Sequence, residues 1–291
     1  LDSLFSRQQL TTLVFPRHCL ACEAELLDQA DHTIPRQIAD QRLASQPRDT
    51  ASLDNQTLDA QTLDNQPRNN TTFLQWQHDH WCLDCWQRLT RRPSNACKKC
   101  GAYLARPNPF GDRCSLCHGQ VLHFDAALAT GNYQNLLQEL IVQMKNSHDE
   151  TIAHQLGVLL GYELLNAGWD GYDQIIAVPT HWWRKLKRGF LAAEIIAESV
   201  SHIAGLKHST RTLRAIRPTK KQGTLSNQAR VANVRGAFEV LPNSNLKDAR
   251  VLIIDDVMTS GATTSEIARI LKKAGASNVS VAVVARGARV S

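Results

Sequence analysis

No stretch of this 291-residue chain approaches eighteen uninterrupted apolar residues, which excludes a transmembrane helix. The opening residues, Leu1-Asp-Ser-Leu-Phe-Ser-Arg, lack the basic segment and following apolar run of a secretory signal. No cysteine is left unpaired in the pattern, and none lies beyond residue 117. With eight cysteines and no export signal, metal ligation is expected rather than a disulfide framework, and the expected compartment is the cytoplasm. Aromatic residues make up only 6% of the chain. Just Trp182, Trp183 and Phe190 interleave its most basic stretch, so a base-stacking platform for single strands is only partly supported. Hydrophobic content, at 43%, is ordinary. The length suits one core-forming domain plus something smaller.

What the chain does have is cysteine in C-x-x-C units, at Cys19/Cys22, Cys82/Cys85, Cys97/Cys100 and Cys114/Cys117. Each unit is a tight knuckle that presents two thiolates to one tetrahedral ion, so four units make two closed four-cysteine zinc sites. Thirteen residues separate Cys100 from Cys114, close to zinc-ribbon spacing, and Gly101 supplies the residue a knuckle turn often needs. Sequential pairing is expected, with Cys19, Cys22, Cys82 and Cys85 on one ion and the other four on the second; a cross-brace remains open. A thioredoxin-like redox role for one unit is the competing reading, but no βαβ pattern surrounds any pair. His18, His80 and His118 stand beside the knuckles. With the cysteine count complete, they are expected on the surface or as hydrogen-bond donors near the ligands. The small ribbon cores imply that the metal supplies most of their folding energy.

Fifty-nine residues lie between Cys22 and Cys82, too many for a ribbon until an insertion is recognised. Inside them runs a tandem pentapeptide, Ser52-Leu-Asp-Asn-Gln, Thr57-Leu-Asp-Ala-Gln, Thr62-Leu-Asp-Asn-Gln. Residues 28–70 are rich in Asp, Gln, Asn and Thr and cannot bury enough surface to offset their ordering entropy. Removing those 43 residues leaves 16, again a ribbon spacing, so a disordered insertion is expected. A solenoid would need more than three such short units.

The most informative stretch is Val251-Leu-Ile-Ile-Asp-Asp-Val-Met-Thr-Ser-Gly-Ala-Thr263. An apolar strand runs into two adjacent carboxylates, then a small-residue loop, then a helix with Ile267, Ile270, Leu271 and Ala274 on one face and Gly275 at its end. Thr263 and Glu266 have capping-box spacing, which puts the loop at a helix N-terminus. Amide groups and the helix dipole make such a terminus an anion site, and Gly261 lets the backbone close around a phosphate. Two carboxylates before it suit ribose hydroxyls or a magnesium ion near them. The plainer alternative is a strand–turn–helix with an Asp cap and no ligand.

From about residue 121 apolar strands alternate with amphipathic helices. Val121 to Thr130 reads as a strand leading to a helix lined by Leu136, Leu137, Leu140, Ile141 and Met144. A second helix follows, with Ile152, Leu156, Leu159 and Leu160. Gln174 to Pro179 is a short buried strand. Gly189 opens another helix carrying Phe190, Ile196, Val200 and Ile203, and Asn278 to Val284 forms the last strand. This alternation argues for a parallel α/β sheet, whose ligands bind at the carboxyl ends of the strands. Residues 184–235 hold twelve Lys/Arg against only Glu194 and Glu198. Between two ligand-facing strand ends, that excess favours an anionic ligand such as pyrophosphate or nucleic acid over a merely solvated face.

The acidic pair and its loop, Asp255-Asp256-Val257-Met258-Thr259-Ser260-Gly261-Ala262-Thr263, resemble the phosphoribosyl pyrophosphate (PRPP) motif of type I phosphoribosyltransferases. The resemblance implies that Asp255 and Asp256 hold the ribose hydroxyls while Thr259 to Thr263 wrap the 5′-phosphate. Together with the paired N-terminal knuckles, the chain is similar to the ComF family of competence and GntX-type proteins over nearly its whole length outside the insertion. Further matching positions are Gly131-Asn-Tyr133 leading to Lys145, Val178-Pro179, and Arg188-Gly-Phe190. Lys221-Gln222-x-x-Leu225, Arg230-x-x-Asn233 and Gly236-Ala-Phe238 complete the pattern.

What that family implies is a type I phosphoribosyltransferase fold over 121–291 behind a double zinc ribbon over 1–120. It implies a pyrophosphate loop at Val178, Pro179, Thr180 and His181, and a mobile basic loop around Arg214 to Gln222. The implied activity is phosphoribosyl transfer from PRPP to an unidentified acceptor with magnesium, the leaving pyrophosphate stabilised by Lys145, Arg188, Lys220 and Lys221. Two departures matter. Leu191-Ala192 follow Arg188-Gly-Phe190 where the family commonly has Asn-Gln, so a polar contact near the acceptor is in doubt. Thr259 also stands where some purine-specific relatives have Asp, which weakens a purine salvage role. The competing function is a binding module in DNA uptake, contacting single-stranded DNA or a helicase partner through ribbons and basic segment.

Overall fold

Strands built from uninterrupted apolar residues need cover on both faces, and two such strands make the centre of the sheet. The computed structural model describes residues 18–24, 26, 80–90, 95–104, 111–180, 190–219, 227–242 and 244–287. Strands β1 (Ala127–Asn132) and β2 (Gln174–Ala177) flank β5 (Arg250–Met258) and β6 (Asn278–Arg286) in the order β1-β6-β5-β2. All three pairings are parallel. Val251 to Ile254 and Val281 to Ala285 have no solvent exposure, as the two central positions require. Register pairs Ile254 with Ala282 and Ala177 with Ile254, so β2 ends beside Ile254 while β5 runs on to Met258 along β6.

Helix α2 (Asn135–Ser147) buries Leu136, Leu137, Leu140, Ile141 and Met144, the face that the apolar spacing marks. Helix α3 (Glu150–Asn166) starts at Asp149, whose carboxylate accepts from the Ile152 amide at 3.0 Å, an N-cap that satisfies one free donor. It buries Ile152, Leu156, Leu159 and Leu160 among others. Helix α4 (Ala192–Ala204) buries Ile196 and Val200. Helix α6 (Ala262–Lys273) connects β5 to β6. Two three-residue strands, β3 (Leu213–Ala215) and β4 (Phe238–Val240), pair antiparallel outside the main sheet, and α5 (Asn227–Val234) lies between them in sequence. Neither short strand has enough residues to show a period in the sequence.

The strand expected from Val121 begins later, at Ala127. The residues before it drop into the core instead: Leu122 and Phe124 are buried, and the Asp125 carboxylate accepts from the Val279 amide at 2.8 Å. The capping box expected from Thr263 and Glu266 is also not formed, because the helix starts at Ala262 with Gly261 as its N-cap. That puts Glu266 two residues beyond the third helical position that a capping box uses. It accepts instead from the Gly236 amide at 2.9 Å and pairs with Arg269 at 2.8 Å.

Contacts divide the chain after Trp86, giving compact units over 1–86 and 87–291. Helix α1 (Leu83–Thr90) runs through that point. Composition and motif draw the line elsewhere, near residue 120. The difference has a physical cause: Cys97, Cys100, Cys114 and Cys117 belong to the same hydrophobic core as Phe124, Ile253 and Val281. Gly101 shows how close the approach is, since a Cβ there would lie 3.1 Å from the Ala127 carbonyl oxygen. The Lys98 carbonyl accepts from the Ala127 amide at 3.2 Å, and Tyr103 donates to the Ala129 carbonyl at 2.9 Å. The 28–70 segment lies outside the described residues. Among the described residues, no helix is long and apolar enough to cross a membrane.

Candidate functional site at the strand ends and the cysteine tetrads

Apolar residues hold β5 in the sheet as far as Ile254, and the next two are the acids. The Val178 amide donates to the Ile254 carbonyl at 2.9 Å, so Val178, Pro179 and Thr180 leave the sheet directly beside Asp255. Lys145, in the last turn of α2, reaches across to Asp256, with Nζ 2.8 Å from Oδ2. Asp255 Oδ1 accepts from the Asp256 amide at 2.9 Å. Desolvation, together with the neighbouring Asp256 charge, pushes the Asp255 carboxyl up to about 8, outweighing the Asp256 amide and the Lys145 charge, which pull it down. The Lys145 ammonium is held above its usual range: desolvation works against this, and Asp256 outweighs it. The strand end therefore offers one ion-paired carboxylate beside one carboxyl that holds its proton more tightly. Such a pair suits polyol hydroxyls or a divalent cation, because both lend positive character to the oxygens.

The loop that follows is shaped from within. Gly261 has φ 75°, the left-handed region that side chains resist. Its missing Cβ would face inward, 3.5 Å from Leu122, Phe124 and the Met258 sulfur. The glycine is thus required by the backbone turn, and not to keep a side chain out of an anion. The Thr264 hydroxyl donates to the Gly261 carbonyl at 3.2 Å, and the Ser260 hydroxyl accepts from the Ala262 amide at 3.3 Å. Ser260 and Ala262 are buried, whereas Thr259 and Thr263 are half-buried. The Arg286 guanidinium closes the loop from below, donating to the carbonyls of Met258, at 2.8 Å, and Thr259. Of the other residues expected here, His181, Arg188, Lys220 and Lys221 lie outside the described residues. Arg286 was not anticipated. Its only trace in the sequence is an arginine ending an otherwise apolar strand.

The eight cysteines gather into two tetrads: Cys19, Cys22, Cys82 and Cys85, and Cys97, Cys100, Cys114 and Cys117. Within each, all four sulfurs lie within 4.8 Å of one another. Neither group includes His18, His80 or His118. Close sulfur pairs measure 3.7 Å for Cys22–Cys82, 3.7 Å for Cys97–Cys117 and 3.5 Å for Cys100–Cys114. A tetrahedral zinc with bonds of about 2.3 Å would set its sulfurs about 3.8 Å apart. Burial pushes the Cys100 thiol far up, although the Arg286 charge pulls the other way. Burial raises Cys117 as well, to about 11, with the Cys97 and Cys114 charges adding to it. Four buried sulfurs gathered this closely are a donor set that a dication satisfies. The tetrads fit a zinc-type ion in spacing and in chemistry.

A parallel sheet carrying an acidic strand end and a glycine-turned loop, with cysteine tetrads before it, defines a phosphoribosyltransferase-type protein with a double zinc ribbon. Residues 186–289 match the phosphoribosyl transferase domain family. The chain is 31% identical over 209 residues to the DNA utilization protein YhgH of Salmonella typhimurium, covering 69% of this chain and 89% of that protein. To the Escherichia coli K12 protein of the same name it is 30% identical over the same length, with the same coverage. Competence protein F of Haemophilus influenzae is 27% identical over 210 residues, 70% of this chain and 90% of its own. The chain belongs to the ComF family.

Proposed function

We propose that this protein binds PRPP at the carboxyl end of β5 and transfers its phosphoribosyl group to an acceptor in DNA utilization. The observation that carries this reading is the juncture of Asp255 and Asp256 with a loop turned at Gly261 into the N-terminus of α6. In that reading the ribose 2′ and 3′ hydroxyls donate to Asp255 and Asp256, and Lys145 keeps Asp256 ionised and oriented. Amides of Thr259 to Thr263 and the α6 dipole take the 5′-phosphate. Val178, Pro179 and Thr180, which leave β2 beside Asp255, would take the pyrophosphate together with His181, and Arg188, Lys220 and Lys221 are assigned the charge that stabilises it as it departs. The bond from C1′ to the pyrophosphate oxygen breaks with its electron pair leaving on pyrophosphate, and the acceptor forms the new bond at C1′. Magnesium, when bound near the carboxylates, would neutralise charge on the pyrophosphate. Zinc at both tetrads completes the protein.

Isothermal calorimetry of PRPP with and without magnesium tests the site. Micromolar to millimolar binding that needs magnesium is expected, and no heat at millimolar PRPP would remove the reading. Pyrophosphate release across candidate acceptors then tests transfer.

A second reading has its own support, in the names of the relatives and the basic stretch 184–235: contact with single-stranded DNA or a helicase partner. Fluorescence anisotropy of a labelled oligonucleotide across a salt series tests it, with affinity expected to fall steeply as salt rises.

A further inference from the structure

Arg286 ends β6 and is 2% exposed. A buried guanidinium needs partners for its donors, and Nε and Nη1 find theirs in a particular way. Nε donates to the carbonyl of Cys100 at 2.9 Å. Nη1 donates to the carbonyls of Met258 at 2.8 Å, Gly287 at 2.6 Å, and Thr259. The Gly287 amide returns to the Met258 carbonyl at 2.9 Å. One rigid, planar group thus ties a knuckle of the second cysteine tetrad to the last strand residue and first loop residue of the candidate phosphate cradle.

We propose that Arg286 is a positioning residue that makes the shape of the Met258–Ala262 loop depend on metal in the second tetrad. With the metal bound, the four sulfurs fix the Cys97–Cys100 knuckle, and the Cys100 carbonyl stands where Nε needs an acceptor. Without it, no bond holds the four sulfurs to a common centre and the knuckle loosens. The guanidinium then loses an acceptor inside the core and shifts toward those that remain. The Met258 and Thr259 carbonyls move with it, and so do the amide directions of the loop. Nε and Nη1 are engaged by carbonyls of the knuckle, the loop and Gly287, so the assigned role is to hold the loop. Its consequence for PRPP binding rests on the function proposed above; the coupling itself does not.

Hydrogen exchange on the full-length, zinc-loaded protein separates the two. The Gly287 amide and the loop peptide spanning Thr259 to Ala262 are followed in wild type, Arg286→Gln, Cys114→Ser and, as a control in the other tetrad, Cys82→Ser. Losing one or two such bonds should speed loop exchange about tenfold or more in Arg286→Gln and Cys114→Ser, and leave it unchanged in Cys82→Ser. Arg286→Lys, which keeps the charge but not the fork, should fall between. If Arg286→Gln retains two zinc ions and wild-type loop exchange, the proposal is overturned. Should Arg286→Gln fail to fold, Arg286→Lys and chelator titration of the wild type decide: a second tetrad stripped of metal with an unaltered loop also overturns it. Accelerated exchange in a protein that never binds PRPP would uphold the coupling and refute the ligand.

Discussion

Replacing Gly261 by alanine separates two roles that a loop glycine can have. The backbone there sits at φ 75°, where a Cβ costs about 1–2 kcal/mol. The added methyl would lie 3.5 Å from Leu122, Phe124 and the Met258 sulfur, which is ordinary contact and adds no steric cost. The whole penalty is therefore conformational. For a unit of this size it corresponds to a fall in melting temperature of about 2–8 °C, readable by differential scanning calorimetry. Because the methyl points inward, PRPP affinity measured below the transition should stay within about threefold of wild type, or roughly 0.7 kcal/mol. Gly261→Val should be far worse for stability, since a branched side chain fits neither the turn nor the packed pocket. An alanine variant with unchanged melting temperature and no PRPP binding would refute the reasoning: its Cβ would then face the ligand.

Three further outcomes follow from the same structure. Zinc analysis should find two ions per chain, and one in either Cys82→Ser or Cys114→Ser; because the second tetrad shares the sheet's core, Cys114→Ser should also lower the melting temperature of that unit, and a value of one or none in the wild type would exclude the paired-tetrad account. Asp255 holds its proton to about 8 in the fold against 3.8 when unfolded, so the folded state binds the extra proton in that window and ligand-free stability must decline as pH rises through it. Asp255→Asn should therefore raise the ligand-free melting temperature more at pH 8 than at pH 5, and an equal effect at both would contradict the shift. Deleting residues 28–70, whose composition argues against a packed core, should leave both zinc ions and the melting temperature nearly unchanged; loss of the ion at Cys19, Cys22, Cys82 and Cys85 would assign the segment a structural part.

Much of the sheet was legible because its central strands carry the apolar runs Val251 to Ile254 and Val281 to Ala285, and helices α2 and α3 because their buried residues keep a helical period. The tetrads were legible too, since C-x-x-C carries its geometry with it. Other features depend on distant partners that no local pattern reveals. Leu122 and Phe124 look like strand residues but serve as core plugs before β1. Glu266 has the spacing of a capping partner, yet it answers the amide of Gly236, thirty residues away in sequence. Strands β3 and β4 are three residues each, too short to show alternation. Arg286 finds its acceptors at Cys100, Met258 and Thr259, and only the folded chain brings those carbonyls together.

The most direct test of the phosphoribosyl cradle is PRPP calorimetry on the double variant Asp255→Asn with Asp256→Asn, in magnesium, with zinc content verified as two per chain. At about pH 9, above the Asp255 value of about 8, the change removes two charge-assisted acceptors while keeping the shape of the strand end. At about 1.5–3 kcal/mol each, their loss should weaken PRPP binding by about two orders of magnitude or more. Affinity equal to that of the wild type would mean that the ribose does not lie on these carboxylates and that the account of the site is wrong.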